Sequence, residues 1–177
     1  VRYAQLTASS PLALDDVPAA RFTPVSVTGQ RTRPEERQQW YRVTLENLAA
    51  QAAELVLTVD NPLADRITVY ALAPDGSTRR LKRLGERAGN LTAAERALPQ
   101  LAFGLEPREQ QTLLVHFESS GSTLFPLAIR SAGQFKRLNE LRNASHAAFT
   151  GILLLVACCS GLLSLWLHLS LQRHALS

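Results

Sequence analysis

Residues 147–171 contain no charged residue and no proline, and this run constrains the chain more than any other feature. A helix rises about 1.5 Å per residue, so the run spans roughly 37 Å, which is enough to cross a hydrocarbon layer of about 30 Å with some tilt. The alternative is a core helix of a soluble domain, but the remaining residues are too few and too highly charged to surround it. The sequence therefore predicts a transmembrane helix.

The charges of the chain lie almost entirely ahead of this run. There are 19 Lys and Arg residues against 15 Asp and Glu, and setting aside Arg173 leaves 18 against 15 before the run. The acidic residues are interspersed and no basic stripe alternates with aromatic residues, which argues against a nucleic-acid partner. Both cysteines, Cys158 and Cys159, lie within the run, so the preceding part has no disulfide and no cysteine ligand for a metal.

Residues 38–130 carry the alternation that is typical of β-strands. Short runs of Val, Ile, Leu, Thr and aromatic residues are interrupted by turn residues roughly every 8 to 12 positions. We expect seven or eight strands, one of them within 21–29, and no helix before residue 91. A parallel α/β domain would need crossover helices of about ten residues or more, which are missing. The sequence therefore predicts a mainly β fold, an antiparallel jelly roll or β-sandwich, followed by one transmembrane helix.

Alternation also predicts the inward faces of two strands. A hairpin is expected between the strand at 113–117 and the strand that follows it, across a turn at 119–122. The strand that precedes residue 74 should end in a turn at 74–76. Thr92 and Glu95 have the spacing of a capping box at the start of a short helix. The predicted inward residues are Tyr41, Val43 and Leu45 in one strand and Leu113, Val115 and Phe117 in the other.

After residue 131 the apolar residues recur about every three positions and no longer every two. This change of period predicts a helix that runs through 134–146 into the span. We therefore expect a β-sandwich at 1–133, a helical connector at 134–146, a transmembrane helix at 147–171 and the start of a cytoplasmic loop at 172–177. The chain begins with Val1 and not Met, which predicts a cleaved leader or a fragment of a longer protein. The apolar residues that carry the new period are Phe135, Leu138, Leu141 and Ala144.

The order of several segments along the chain carries a family resemblance. Over 38–171 they resemble the type-2 periplasmic sensor domain of the bacterial seven-transmembrane receptors with diverse intracellular signalling modules, together with the first membrane helix. The segments are WYRVTLEN, VDNPLADRITVYAL, RLGERAGNLTAAERALPQLAFGLEP, QTLLVHFESSGSTLFPLAIRSAGQF and FTGILLLVACCSGLLSLWL.

The resemblance implies a periplasmic jelly roll, similar to carbohydrate-binding modules, on a receptor of the bacterial inner membrane. It also implies further membrane helices and a cytoplasmic output such as a histidine kinase of a two-component system or a cyclic di-GMP synthase (diguanylate cyclase). The implied ligand is a small molecule or a carbohydrate. The helix would contact membrane lipid, and a second copy of the chain, in a homodimer, is a further candidate partner.

The charges that flank the apolar run argue against a periplasmic N-terminal domain. Lys136, Arg137 and Arg142 precede the run and Arg173 follows it, which by charge alone would place the N-terminal side in the cytoplasm. Long domains translocate largely regardless of flanking charge, and the resemblance instead implies a periplasmic domain.

The chain shows no catalytic or metal-binding pattern. Its histidines, His116, His146, His168 and His174, have no neighbours at ligand spacing, and there is no glycine-rich phosphate loop and no nucleophile elbow. We therefore expect no enzyme activity within these residues, no metal and no other cofactor.

Candidate ligand-binding residues lie on the faces of strands that point away from the predicted core. Trp40 and Arg42 share such a face and are expected to be exposed together; alternatively, Trp40 is the core aromatic residue and the two faces are reversed. Tyr70 carries the same pair of alternatives. Arg87 and Arg96 flank the loop with the capping box, where they would grip a ligand or lie as solvated surface.

Within the span, His168 is the only ionisable side chain apart from the two cysteines, and we expect it near the interface and neutral, close to Trp166. The small residues Gly151 and Gly161 suit close packing against other membrane helices. Two functions remain open. One is a ligand-sensing domain of a transmembrane receptor, and the other is a membrane-anchored β-sandwich that docks on another protein as a structural or assembly component.

Overall fold

The computed structural model of the chain describes residues 1–6, 12–25, 38–60, 64–89, 91–92, 95, 98–118 and 127–175. The chain divides into two compact units, Val1–Ala132 and Gly133–Ser177. The first unit contains the strands and the second contains a helix.

Nine strands, one 3-10 turn and one long helix are described. The strands are β1 (Arg2–Leu6), β2 (Thr23–Pro24), β3 (Gln38–Glu46), β4 (Ala53–Val59), β5 (Arg66–Leu72), β6 (Thr78–Leu84), β7 (Gln100–Leu105), β8 (Gln110–Glu118) and β9 (Leu127–Ser131). The 3-10 turn covers Leu14–Asp16, and the helix, α1, covers Ala132–Ala175.

The strands form two antiparallel sheets. The larger sheet has the order β2-β1-β3-β8-β5-β6, and the smaller has the order β7-β4-β9. The predicted antiparallel β fold followed by an apolar helix is confirmed.

The main core contains residues from both sheets. Alternating side chains of β3, β4, β5 and β8 meet in one cluster, and the inward faces predicted for β3 and β8 are confirmed. Burying each such aliphatic side chain stabilises the fold by about 1.5–3 kcal/mol. The central members are Tyr41, Val43, Leu45, Leu57, Val59, Ile67, Val69, Leu113, Val115 and Phe117.

The predicted hairpin after β8 is wrong. β8 pairs with β3 and β5 in the larger sheet, whereas β9 pairs with β4 in the smaller one, so the chain changes sheets between them. Its predicted turn at 119–122 lies outside the described residues. Of the strand expected within 21–29, the structure describes only Thr23–Pro24 as strand, with residues 26–29 outside the described part, and the pairing of β1 with β3 was not expected.

Two local turn predictions are confirmed. Between β5 and β6, the Gly76 amide donates to the Ala73 carbonyl, and Gly76 has a φ of 84°. In the capping box, the Thr92 amide donates to the Glu95 carboxylate (2.9 Å) and the Glu95 amide donates to the Thr92 hydroxyl (3.2 Å). The Glu95 carboxylate also pairs with Lys82 of β6, which ties this loop to the sheet edge.

Helix α1 begins at Ala132, directly after the last residue of β9, and continues without a break to Ala175. The predicted change from strand to helix after residue 131 is confirmed. Within the described residues, α1 is the one helix that is long and apolar enough to cross a membrane. The boundary between connector and span inside the helix stays a prediction.

Asn47, at the end of β3, joins two loops. Its side-chain amide donates to the carbonyl oxygens of Gln51, Leu105 and Glu106 at 2.8 to 3.1 Å, and its side-chain oxygen accepts from the Ala49 amide at 3.1 Å. A buried amide that contacts four backbone groups, with two hydrogens shared among three carbonyl oxygens, fixes both loops at this end of the domain.

We expect Asn47→Ala to lower the free energy of unfolding by about 3 kcal/mol, because backbone groups lose buried partners. The measurement is urea unfolding of the full chain in detergent, followed by near-ultraviolet circular dichroism. The control is Leu48→Ala, since the neighbouring Leu48 is 84% exposed and its loss should change stability by less than about 0.5 kcal/mol. Equal effects of the two variants would contradict this role for Asn47.

Candidate functional site

The outer face of the six-stranded sheet, opposite the main core, carries a second apolar cluster. Residues 12–22 pack over it through Val17 and the partly buried Leu12, Leu14, Ala20 and Phe22. On the sheet side the cluster contains Leu6, Trp40 and Leu114, with Tyr70 and Leu72 at its margin.

Trp40 is 5% exposed, so the expectation that it lies exposed with Arg42 is wrong. The alternative of reversed faces is wrong as well, because Tyr41, Val43 and Leu45 occupy the main core as predicted. Trp40 is buried because residues 12–22 add a further layer to the outward face. The alternation of residues along β3 predicts the face on which Trp40 lies, but it does not show which segment of the chain covers that face.

Trp40 stacks on His116 of the neighbouring strand. The register of β3 and β8 places the two residues opposite each other, with ring centroids 4.1 Å apart and planes inclined by 14°. Tyr70 of β5 lies on the same face, with its ring centroid 5.9 Å from that of Trp40. Three adjacent strands therefore bring three rings together.

Arg42 is held beneath the N-terminal segment. Its Nη2 atom donates to the Pro18 carbonyl (2.6 Å), and its guanidinium carbon lies 4.2 Å from the centre of the Phe22 ring. Burial lowers the pKa of Arg42 below its ordinary value. The segment and the sheet are thus joined by one hydrogen bond and one cation–π contact at the same residue.

Two charged side chains, Glu118 and Arg66, lie beside His116 on the same face. Glu118 lies 3.6 Å from Nδ1 of His116, measured to its Oε1 atom, and its Oε2 atom accepts from Nη1 of Arg66 at 3.0 Å. The side chains of Arg66, Glu118 and His116 are 38%, 26% and 14% exposed. Solvent therefore reaches Arg66 and Glu118 at this end of the face.

We call this group the outer-face cluster. Four of its nitrogen atoms are buried and have no hydrogen-bond partner within the described structure: Nε1 of Trp40, Nε of Arg42, Nε of Arg66 and Nε2 of His116. Three of them are obligatory N–H donors, and the imidazole nitrogen donates in one tautomer. The members of the outer-face cluster are Trp40, Arg42, Arg66, Tyr70, His116 and Glu118.

Buried donors without partners destabilise a fold by about 1–3 kcal/mol each, so their concentration on one face needs a reason. Protein atoms cover these four nitrogens, so a bound molecule would contact the partly exposed groups beside them, which are Arg66, His116 and Glu118. The outer-face cluster is therefore the candidate ligand site of the domain.

The other predicted site residues lie elsewhere or outside the described part. Arg87 is largely exposed and reaches Asp65 at 3.7 Å, in a loop that Gly85 holds close to Ala64. Gly85 has a φ of 99°, and a Cβ atom there would lie 2.8 Å from the Ala64 carbonyl oxygen. Arg96 and the side chain of His168 lie outside the described residues.

Sequence reasoning missed three members of the outer-face cluster, namely Arg66, His116 and Glu118. Alternation along β8 does place His116 and Glu118 on the outward face of the strand, since Val115 and Phe117 point inward. Their contact with Trp40 and Arg66 depends on the order of strands in the sheet, which separates these residues widely in sequence. Among the described residues, no group of three or more His, Cys, Asp or Glu could hold a metal ion.

The fold and the outer-face cluster define an antiparallel β-sheet domain with a sheet face that combines an apolar cluster with charged and aromatic groups. In the chain this domain is followed by a helix that could cross a membrane. The family model described as 7TMR-DISM extracellular 2 matches residues 5–131. The chain belongs to this family of extracellular sensor domains, as its resemblance implied. A search of curated proteins finds no match.

His116 gives the outer-face cluster a pH dependence. Burial lowers its pKa below 6.5 and Arg66 lowers it further, while Glu118 partly opposes this. The folded protein therefore binds the proton less readily than the unfolded chain. We expect the free energy of unfolding to fall as the pH drops below about 6.5, the unfolded value, and this contribution to level off below the folded pKa.

The measurement is urea unfolding of the full chain at several pH values between 7.5 and 5, with His116→Gln as the test variant. The difference between wild type and variant should depend on pH in this range. His146→Gln, on an exposed position of α1, is the matched control and should keep the wild-type dependence. A His116→Gln variant with the same pH dependence as the wild type would contradict the assignment.

Proposed function

We propose that this domain senses a small ligand on the periplasmic side of the bacterial inner membrane and passes the bound state through α1 to a cytoplasmic output module. One observation carries the proposal. The match to an extracellular sensor family ends at residue 131, and the apolar helix begins at the next residue. The matched domain and the helix that contains the candidate span therefore follow each other without an intervening loop.

The outer-face cluster is the proposed ligand site. It combines aromatic rings with polar groups, the pattern that holds sugars and other small polar molecules. Four of its buried nitrogen atoms have no partner within the described structure, and Arg66 and Glu118 are partly open to solvent. A carbohydrate ligand is consistent with both features.

Continuity between β9 and α1 supports the proposed route of the signal. β9 pairs with β4 over five residues, and Ile129 packs against the main core. A shift of β9 within the sheet moves the first residue of the helix, because no loop absorbs it. A ligand that prefers one arrangement of the domain then changes the populations of the receptor by its differential affinity.

The experiment uses the full chain in nanodiscs, screened by thermal unfolding against neutral monosaccharides, uronic acids, dicarboxylates and amino acids. A compound at a hundred times its dissociation constant should stabilise the folded state by about 2.7 kcal/mol. No stabilisation across the panel would contradict ligand sensing and favour the alternative, a membrane-anchored domain that docks on another protein.

Coupling to the helix is then measured by hydrogen exchange of residues 133–146 with and without the stabilising compound. We expect the compound to change exchange in this region. Inserting Gly-Ser-Gly-Ser after Ser131 should abolish that change while leaving the thermal stabilisation intact. The control is the same insertion after Asp75, in the exposed turn between β5 and β6, which should leave the exchange response unaltered. A response that survives the first insertion would contradict transmission through β9 and α1.

A further inference from the structure

The outer face of β5, β6 and β8 has an excess of positive charge. The register pairs Arg80 with Tyr70 and Arg83 with Thr68, which puts both arginines on the face that carries the outer-face cluster. Arg66 is the third arginine of this face, and Glu118 is its one carboxylate on these three strands. Three cations therefore face one anion.

Two of these arginines are not neutralised. Arg80 and Arg83 are exposed, and neither makes an ion pair within the described structure. Arg83 is a diagonal neighbour of Arg66 across β5 and β6, a relation that places side chains about 7–8 Å apart at their bases. Arg83 therefore adds positive charge beside Arg66 and Glu118.

Glu118 shows which kind of anion fits there. Nη1 of Arg66 lies 3.0 Å from one oxygen of the Glu118 carboxylate and 3.4 Å from the other. A planar carboxylate is therefore already seated on Arg66, next to the imidazole of His116. Arginine recognises carboxylates through such charge-assisted hydrogen bonds.

We propose that the outer-face cluster binds a small sugar-like ligand that carries a carboxylate. The carboxylate of the ligand replaces Glu118 on Arg66, Arg83 and Arg80 add long-range attraction, and the polar body of the ligand lies against Tyr70 and His116. This assignment rests on the proposed function and names the chemical class of its ligand. No covalent step is involved.

An arginine-rich edge strand also hinders pairing with the edge of another sheet. That role does not depend on which face of β6 the arginines occupy. Arg79 provides the comparison, because it pairs with Ala71, is exposed, and lies on the opposite face from Arg80. Variants at Arg79 and Arg83 change the charge of the same strand by the same amount.

The experiment uses the full chain with Trp166→Phe in nanodiscs of zwitterionic lipid. Because the chain has two tryptophans, Trp40 is then the only one and reports on the outer-face cluster by its fluorescence. The probes are D-glucuronate and D-galacturonate, each paired with the neutral sugar of the same ring, D-glucose or D-galactose. Titration to about 10 mM detects dissociation constants of about 1 mM.

We expect the uronates to change the fluorescence of Trp40 and the neutral sugars to bind at least about tenfold more weakly. Arg66→Gln should weaken uronate binding by about tenfold, and Arg83→Gln by about threefold. Glu118→Gln should strengthen it by about threefold, since the competing carboxylate is removed. Arg79→Gln should leave binding unchanged. A structural role of Glu118 alone would not predict tighter binding.

Four outcomes would overturn the assignment. Equal binding of a uronate and its neutral sugar, or weaker uronate binding in Glu118→Gln, would remove the carboxylate as the recognised group. Inorganic phosphate that binds as tightly as the uronates would replace carboxylate by anion recognition in general. Absence of uronate binding would also overturn it, and thermal stabilisation by another compound would then show that ligand sensing itself stands.

Discussion

The pairing of β8 with β3 and β5 is the constraint on which the rest of the domain depends. Nine residues of β8 pair with β3 and seven with β5, all in antiparallel register. Successive side chains of a strand point to opposite faces, so a slip of one residue would exchange the two faces of β8. Val115 and Phe117 would leave the core, and His116 and Glu118 would be buried in it. One register therefore fixes both the core and the outer-face cluster.

The two faces of β8 differ in physical character. The inner face is apolar and packs against the smaller sheet in the main core. The outer face, which β8 shares with β3 and β5, carries Leu114 of the second apolar cluster. It also carries buried nitrogen atoms without partners in the described structure, one salt bridge and a neighbouring excess of arginine. A face that served only stability would pair these groups or replace them by apolar ones. Their retention together is the physical reason to assign binding to this face.

The local features of the fold could be predicted from the sequence. Alternation identified the inward residues of β3 and β8, the Thr92 and Glu95 spacing identified the capping box, and the change of period after residue 131 identified the start of α1. Features that depend on distant segments could not be predicted. The change of sheet after β8 and the covering of Trp40 by residues 12–22 both arise from pairing between parts of the chain that local patterns do not connect.

The same distinction applies to the site. Trp40, Arg42 and Tyr70 were selected for their outward faces, and the structure brings these three together. Arg87 lies in another loop, with Asp65 as its partner. Arg66, His116 and Glu118 join the cluster because β8 lies between β3 and β5. The order of the strands in the sheet therefore brings these residues together, whereas alternation along a single strand shows only which of its residues share a face.

The most direct test is the nuclear magnetic resonance spectrum of the full chain with 15N-labelled tryptophan, recorded with and without D-glucuronate. The indole N–H of Trp40 lies in the outer-face cluster and that of Trp166 lies in α1, so the two resonances report on different elements of the chain. A ligand seated against His116 and Arg66 should shift the Trp40 resonance and leave that of Trp166 in place. An unshifted Trp40 resonance, under conditions where the same compound stabilises the chain, would contradict the outer-face cluster as the ligand site.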